Sequence, residues 1–586
     1  MIYLSKFTLS IILIIIVGFS VYFFSLFNDG VWDDELQLVI NPQVHSIKNI
    51  PQLFTGSTFY SGGQEKSIGI YFKPLMPTVF AVIYNIFGPY PFYFHLFQVC
   101  LHIINSILVF LFFNRLITKK FSLFIGFIFL VHPINVETVA YISALQDVLF
   151  FFFGMLGLLI VSKKTVKKPA STIEKLVYPF LFLILITASL FSKESGLLFL
   201  IISLVYLFLF KKKYFLFYLA SAGSSIGIYF WMRFFVAKIG IIEASNTLFA
   251  GVSLPIKLLN LPEIIYFYLK GYFYPVTYAI AQDWIIKNPT FNNFYLPLLI
   301  CFALITFLII IFFRIRRITP QRLELYYFFL IWFLLGLGFH SQIIALDLTA
   351  SDRWFYFTQI GLMGILVLAI QSFKIPKYLT PRVILIISIV IINALAWRTF
   401  IRTFDWKNDL TLITKDIKTN PDSYYLNSNL GIQMIYQLKF EQSKAYLNKA
   451  IDLNPFLPSP YASLASVYES EGNREKAIEY HSKAIEHDQA YYYSYQALSY
   501  LLIDPDSPNH EGYELIKKST EFFPKNDFLW HNLAVFQLDL GLKNEAKASA
   551  EKALSLNPEN ENNKSLIEKI KFKKTVTADD LRRNYK

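Results

Sequence analysis

Phe294–Phe313 reads FYLPLLICFALITFLIIIFF and is followed at once by Arg314, Ile315, Arg316 and Arg317. A stretch of 20 residues without a charge is long enough to cross the hydrocarbon core of a bilayer as a helix. The basic cluster at its end marks the side on which short loops stay cytoplasmic. Comparable runs lie at 7–27, 91–113, 121–144, 147–162, 177–192, 195–210, 214–232, 324–340, 354–372 and 382–401. With 294–313 they predict an all-α, polytopic transmembrane bundle of about eleven spans. Two shorter stretches, 76–88 and 262–280, are broken by Pro, Gly or Lys and read as interfacial or re-entrant. Lys6 precedes the first run and no small-residue cleavage site follows it, which predicts an uncleaved signal anchor.

Composition agrees. Of 586 residues, 55% are hydrophobic and 16% charged, against about 25% charged in soluble chains. The net charge of +13 is unevenly placed: residues up to Arg402 hold 31 Lys and Arg against 15 Asp and Glu, and the remainder holds 23 against 26. The basicity belongs to the membrane part, so it is a topology signal and excludes the inference of a nucleic-acid partner. The two cysteines, Cys100 and Cys301, lie in apolar runs with no CxxC spacing, which predicts neither disulfide nor zinc.

Five basic clusters fall between alternate pairs of runs: Arg115/Lys119/Lys120, Lys163/Lys164/Lys167/Lys168, Lys211/Lys212/Lys213, Arg314/Arg316/Arg317/Arg322 and Lys374/Lys377/Arg382. If all are cytoplasmic, the N-terminus is cytoplasmic and everything after the last span is extracytoplasmic. The Ile, Phe, Lys and Asn richness fits an AT-rich genome, and so a bacterial inner or plasma membrane. Segments 28–72, 132–146, 192–195, 237–293 and 340–352 then fall outside and hold nearly all the acidic residues of the membrane part. Ionisable groups gathered at a membrane rim are costly and mark function.

From Asp405 onward a period replaces the apolar runs. Pro421, Pro455, Pro524 and Pro558 recur at 34 residues, or 69 for a pair. Leu430-Gly431, Leu464-Ala465, Leu498-Ser499 and Leu533-Ala534 keep phase with them, as do Ala450, Ala477, Ala484, Ala546 and Ala553. Tyr461 and Trp530 share an aromatic position. The period is that of tetratricopeptide (TPR) helix pairs, predicting a membrane domain over 1–402 and a C-terminal TPR α-solenoid over 403–586. Repeats are expected near 424–457, 458–491, 492–526 and 527–560, the third carrying an insertion at 504–510. A solenoid offers a concave face for an acceptor protein, peptide or other partner.

The sharpest chemical feature is Val31-Trp32-Asp33-Asp34-Glu35, just beyond the first run in a predicted external loop, 28–75. Adjacent carboxylates raise one another's pKa, and a raised carboxylate at a membrane cavity is a general-base candidate. The alternative is a solvated loop start or helix cap.

Trp32-Asp33-Asp34 with Asn41-Pro42, Lys73-Pro74-Leu75, Phe87-Gly88, His132-Pro133 with Glu137, Ser192-Lys193-Glu194, and Ser351-Asp352-Arg353 leading into Tyr356 together resemble the TMTC group of transmembrane and TPR-containing proteins. The order of motifs covers essentially the whole chain. The resemblance implies a GT-C glycosyltransferase fold, related to protein O-mannosyltransferases, with a polyprenyl-phosphate sugar as co-substrate and Ser or Thr hydroxyls as acceptors. Gln146-Asp147 and Asp352-Arg353 depart from the residues that relatives often carry.

Transfer from such a donor needs a base and cations for the departing phosphate. Asp33 and Asp34 are the base candidates, Lys193 and Arg353 the phosphate-binding candidates, and His132, Glu137, Glu194 and Asp352 pocket candidates. Structural alternatives pair Lys193 with Glu194, pair Arg353 with Asp352 or Asp347, and make His132 a cap before Pro133. Tyr268–Pro275 with Asp283 resembles the family's external loop. Asp33, Asp34, Glu137 and Asp283 are oxygen ligands suited to a divalent cation, but no ligand spacing demands one and no metal or other cofactor is expected. Membrane lipids are the remaining partner. The competing function is a non-catalytic membrane scaffold whose TPRs recruit proteins.

Overall fold

The computed structural model describes residues 6–58, 71–163, 176–240, 248–373, 376, 378, 380–502 and 510–571. Lys164, Lys167, Lys168, Lys374, Lys377, part of the 28–75 loop and most of the predicted 504–510 insertion lie outside them. Among the described residues the chain is helical, with one isolated antiparallel bridge between Gln282 and Ala350. It divides into two compact units, one ending at Asn420 and one starting at Pro421. The expected division after Arg402 falls earlier than this. Thr403–Asn420 belong with the first unit, because Arg402 grips Asp416 at 2.6 and 3.0 Å and Asn420 donates to the Ala281 carbonyl at 2.8 Å.

The first unit contains α1 (Lys6–Tyr22), α2 (Ile50–Leu53), α3 (Leu75–Phe87), α4 (Pro91–Leu116), α5 (Lys119–Val131), α6 (Val136–Ala140), α7 (Leu145–Ser162) and α8 (Tyr178–Ser192). It continues with α9 (Gly196–Phe210), α10 (Phe215–Trp231), α11 (Leu254–Phe273), α12 (Leu296–Ile318), α13 (Leu323–Phe339), α14 (Phe355–Ser372), α15 (Pro381–Asp405) and α16 (Asp409–Asp416). Among the described residues, seven stretches, those built on α4, α7, α10 and α12–α15, are long and apolar enough to cross a membrane, and α5 with α6 makes an eighth, bent by 50°. α1, α3, α8 and α9 are shorter apolar helices. On α15, Ile386, Val390 and Trp397 are 60%, 62% and 65% exposed. A helix that leaves such side chains outward is suited to lipid, not water. α14, by contrast, is almost wholly interior.

Cross-helix contacts sort the helix ends into two groups. At one end Arg115 bonds Ser162 at 2.9 Å and Lys211 bonds the Val161 carbonyl at 2.9 Å, while Arg322 reaches Gln371. At the other, Asn28 bonds the Thr403 carbonyl at 3.0 Å and Thr399 the Val131 carbonyl at 2.6 Å. Among the described residues, eleven helices, α1, α4, α5, α7–α10 and α12–α15, run between these ends. α3 and α11 do not. Lys73, just before α3, lies by Glu194, and Phe87 at its end stacks on Tyr93 at the start of α4. α11 begins beside Ile343 and ends beside His132. Both start and finish at the Asn28 end, as interfacial segments do.

Inside the bundle, polar side chains repair the break between α5 and α6. Asn135 donates to the Phe129 carbonyl at 2.7 Å, and Gln98 donates to the carbonyls of Thr138 and Tyr141, both at 2.7 Å. Broken backbone survives at membrane depth only when protein groups satisfy it. α13 and α14 meet at glycine: a Cβ on Gly361 would lie 2.4 Å from the Phe333 nitrogen. Small residues let such helices approach closely.

Among the described residues the second unit holds four helix pairs and one further helix: α17 (Tyr424–Tyr436) with α18 (Phe440–Leu453), α19 (Pro458–Ser470) with α20 (Arg474–His487), α21 (Tyr492–Leu501) with α22 (His510–Phe522), α23 (Asp527–Asp539) with α24 (Lys543–Leu556), then α25 (Glu561–Lys571). Ala450, Ala477, Ala484, Ala546 and Ala553 are fully buried between paired helices. Tyr461 and Trp530 repeat one device, donating to the carbonyls of Pro455 at 3.1 Å and Pro524 at 2.9 Å.

Candidate active site

After α1 the chain turns through Phe24–Phe27 and reaches Trp32, a non-glycine residue at φ 57°. That turn sends the two following carboxylates in different directions. Asp34 folds inward and is 1% exposed. Its carboxylate accepts from the Val31 N–H at 2.9 Å, the Ser143 N–H at 2.7 Å and the Ser143 hydroxyl at 2.6 Å. Burial pushes its pKa up to about 7 against the pull of those donors. It staples the loop to the start of α7. Asp33 is half-buried and accepts from the Tyr141 hydroxyl at 2.9 Å. Burial raises its pKa as well; Tyr141 and Arg353 oppose the rise, and Asp347 and Asp409 add to it.

Beyond Tyr141 lies an alternating chain of charge. The Arg353 guanidinium sits 5.6 Å from the Tyr141 ring centre and donates to Glu137 at 3.0 Å. Glu137 also accepts from the Ser351 hydroxyl at 2.7 Å. On its other side Arg353 Nε is 4.0 Å from Asp147 Oδ2, and neither atom has a hydrogen-bond partner. Asp147 Oδ1 accepts from Lys193 at 2.5 Å. Burial pulls the Lys193 ammonium below the ordinary lysine range, opposed by Asp147. Glu194 turns the other way, to Arg233 at 3.3 Å and Lys73 at 3.8 Å. Lys73 lies 4.2 Å from the Tyr71 ring centre, and the Tyr71 hydroxyl donates to Asp347.

The structure therefore brings Asp33, Glu137, Lys193, Glu194 and Arg353 together, with ion pairs unlike those that sequence proximity offers. Lys193 is bound to Asp147, not Glu194; Arg353 is bound to Glu137, not Asp352 or Asp347. Asp352 is buried beside the cluster, its Oδ1 without a partner. His132 stands apart: it stacks on Tyr272 at 4.4 Å, accepts from the Ile134 N–H at 3.2 Å and meets the Tyr272 carbonyl at 3.0 Å. Both ring nitrogens serve the fold. Asp283 is buried next to the Gln282–Ala350 bridge. Among the described residues no three or more His, Cys, Asp or Glu side chains gather as a metal site. A separate cavity of about 580 Å³, lined by Glu263, Trp284, Lys287 and Asn293 among others, shares no residue with this cluster.

Sequence reasoning missed Tyr141, Asp147 and Arg233 as members. The signal was available for two of them: Asp147 opens the apolar run 147–162 and Arg233 directly follows the run 214–232, and charge at a span end is expensive and needs a partner. Tyr141 carries no such mark.

A tetratricopeptide repeat family matches residues 458–491 and 529–560. The human Protein O-mannosyl-transferase TMTC3 is 21% identical over 627 aligned residues, covering 94% of this chain and 68% of that protein. The mouse protein of the same name is 21% identical, and the match covers 76% of this chain and about half, 51%, of that protein. Among solved structures, MamA aligns over 30% of this chain and 88% of its own at 19% identity and a TM-score of 0.23. The APC/C Cut9–Hcn1 assembly aligns over 85% and 89% at 12% identity and a TM-score of 0.25. Along its membrane unit and its repeats alike, the chain is similar to TMTC proteins.

Proposed function

We propose that this protein is a membrane glycosyltransferase of the GT-C type that moves a sugar from a polyprenyl-phosphate donor to a hydroxyl. The acceptor is a Ser or Thr side chain, as the names of the relatives suggest, and the TPR unit presents it. The observation that carries this reading is the division of labour at the acidic motif: Asp34 is consumed by three protein donors, while Asp33 stays half-buried and receives one. In the reaction the acceptor oxygen attacks the anomeric carbon and its proton passes to Asp33. The bond from that carbon to the phosphate oxygen breaks, and the electron pair leaves with polyprenyl phosphate. Arg353, with Nε–H still unpartnered, is the leading group for the developing phosphate charge, since a guanidinium holds oxygens directionally. Lys193, anchored on Asp147, adds a point charge. Basic loops at one end of the bundle and this cluster at the other support an extracytoplasmic site and repeat unit.

One observation favours the scaffold reading: Arg353, Lys193 and Arg233 are each already matched by a carboxylate. One experiment separates the two. Purified protein is incubated with a panel of polyprenyl-phosphate sugars and acceptor peptides, and Asp33→Asn is run beside it. Loss of the base should cost on the order of 10²–10⁴ in rate with assembly unchanged. No turnover with any donor, or full activity of Asp33→Asn, supports the scaffold.

A further inference from the structure

The elbow between α15 and α16 lies against the acidic motif at several points. Asn28 bonds the Thr403 carbonyl at 3.0 Å, and the Asp29 N–H bonds the Lys407 carbonyl at 2.9 Å. Trp406, 1% exposed, packs 5.9 Å from the ring of Tyr141, the phenol that donates to Asp33. The shortest of these contacts is polar: the Trp32 N–H donates to Asp409 Oδ1 at 2.7 Å. Trp32 is the residue at φ 57°, a conformation that a bulky L side chain holds only when its surroundings impose it. Because Trp32 precedes Asp33, its backbone angles set the direction of the Asp33 side chain.

We infer that Asp409 is a positioning residue for Asp33: its carboxylate holds Trp32 in the left-handed conformation and so aims the Asp33 carboxylate at Tyr141 and the reaction centre. This rests on the glycosyl-transfer reading for its catalytic consequence but not for its structural one. Asp409 touches no substrate; it acts through one backbone N–H. It also stands at the first turn of α16, within the same compact unit as the acidic motif. Since only an acceptor oxygen is needed, an amide at 409 serves nearly as well as a carboxylate.

The test uses the full-length protein in detergent with three variants. Asp409→Ala removes the acceptor, Asp409→Asn keeps one, and Asn408→Ala removes the α16 cap on Thr411 without touching Trp32. Each is measured for kcat and KM, and for hydrogen exchange over residues 28–40. Asp409→Ala should lower kcat by on the order of 10-fold to 10²-fold, as misplacement of a reacting group does, with KM for donor little changed and exchange at Trp32 faster. Asp409→Asn should recover most of both, and Asn408→Ala should retain both. Wild-type kcat in Asp409→Ala, or equal loss in Asp409→Asn, overturns the inference, as does the same loss in Asn408→Ala. If the wild type turns over no donor, the glycosyl-transfer reading fails by itself. Exchange then decides the clamp: unchanged exchange in Asp409→Ala overturns it, and faster exchange restored by Asn upholds it.

Discussion

Asp33 and Asp34 are adjacent, yet the fold treats them differently, and each difference can be measured. At Asp34 all three bonding partners are donors. In Asp34→Asn one of the amide's faces must point N–H groups at a donor, leaving buried polar atoms unpaired at a cost of about 1–3 kcal/mol. A lower melting temperature in detergent is expected for Asp34→Asn, and a value near wild type for Asp33→Asn; equal melting of the two would remove the stapling role. The pH dependence follows from Asp33. A base works only when deprotonated, and burial raises the pKa of Asp33, so transfer should fall on acidification at a pH above the ordinary carboxylate value of about 4. Tyr141 lowers that pKa by hydrogen bonding, so Tyr141→Phe should move the acid limb of kcat/KM further upward. An unmoved limb would mean that another group controls it. These pairings explain why the motif was visible in the sequence and the site was not. Lys193 finds Asp147 across 46 residues, and Arg353 finds Glu137 across 216. Local reading supplies Glu194, Asp352 and Asp347, but Glu194 pairs with Arg233 and Lys73, and Asp347 accepts from Tyr71.

Among the elements, the repeats show what a period encodes. Gly472 and Gly541 take positive φ, 76° and 74°, in the tight turns inside their helix pairs. Each lies 17 residues after its proline, Pro455 and Pro524, and the same place after Pro421 is held by Leu438 at φ 57°. Leu438 is 76% exposed, so its side chain contributes little packing to offset the conformation. The left-handed penalty of about 1–2 kcal/mol outweighs the extra chain entropy of glycine, about 0.5–1 kcal/mol. Leu438→Gly should therefore raise the stability of the repeat unit by roughly 0.5–1 kcal/mol, read as a higher urea midpoint for a fragment starting at Pro421. A lower midpoint would mean that Leu438 makes a contact worth more than its strain. The proline phase and the buried alanines made these helices legible because each repeat meets the same neighbour in the same way. The membrane helices were legible as runs, since lipid demands an uninterrupted apolar surface. The elbow at Trp406–Asp409 was not, because its meaning lies in contacts with residues 28–34 and 141 and its own sequence has neither period nor motif.

For the molecule as a whole, the two ends of the bundle carry different chemistry. Arg115, Lys211 and Arg322 bond carbonyls and side chains at one end; the carboxylates Asp33, Glu137, Asp147 and Glu194 gather at the other with the start of Thr403–Asn420. Cytoplasmic loops favour Lys and Arg, and the proposed orientation, with the cluster and the chain beyond α15 outside, rests on that asymmetry. Among the described residues, eleven helices running end to end put the start of α1 and the chain beyond α15 on opposite faces, since α3 and α11 both return to the end from which they start. The proteins's sidedness can be read with single cysteines in a background where Cys100 and Cys301 are serine. Lys48→Cys lies in the first loop, Lys213→Cys at the basic end and Lys543→Cys in the last repeat, all three exposed. A membrane-impermeant maleimide added to intact cells should label positions 48 and 543 and reach 213 only after permeabilisation. If 48 and 213 label together, the end-to-end arrangement of α1 through α9 is wrong. If 213 alone labels, the arrangement stands and the orientation is inverted, with the site facing the cytoplasm. If 48 labels without 543, one helix between α10 and α15 fails to cross, and α15, the least buried of the long apolar helices, is the first candidate.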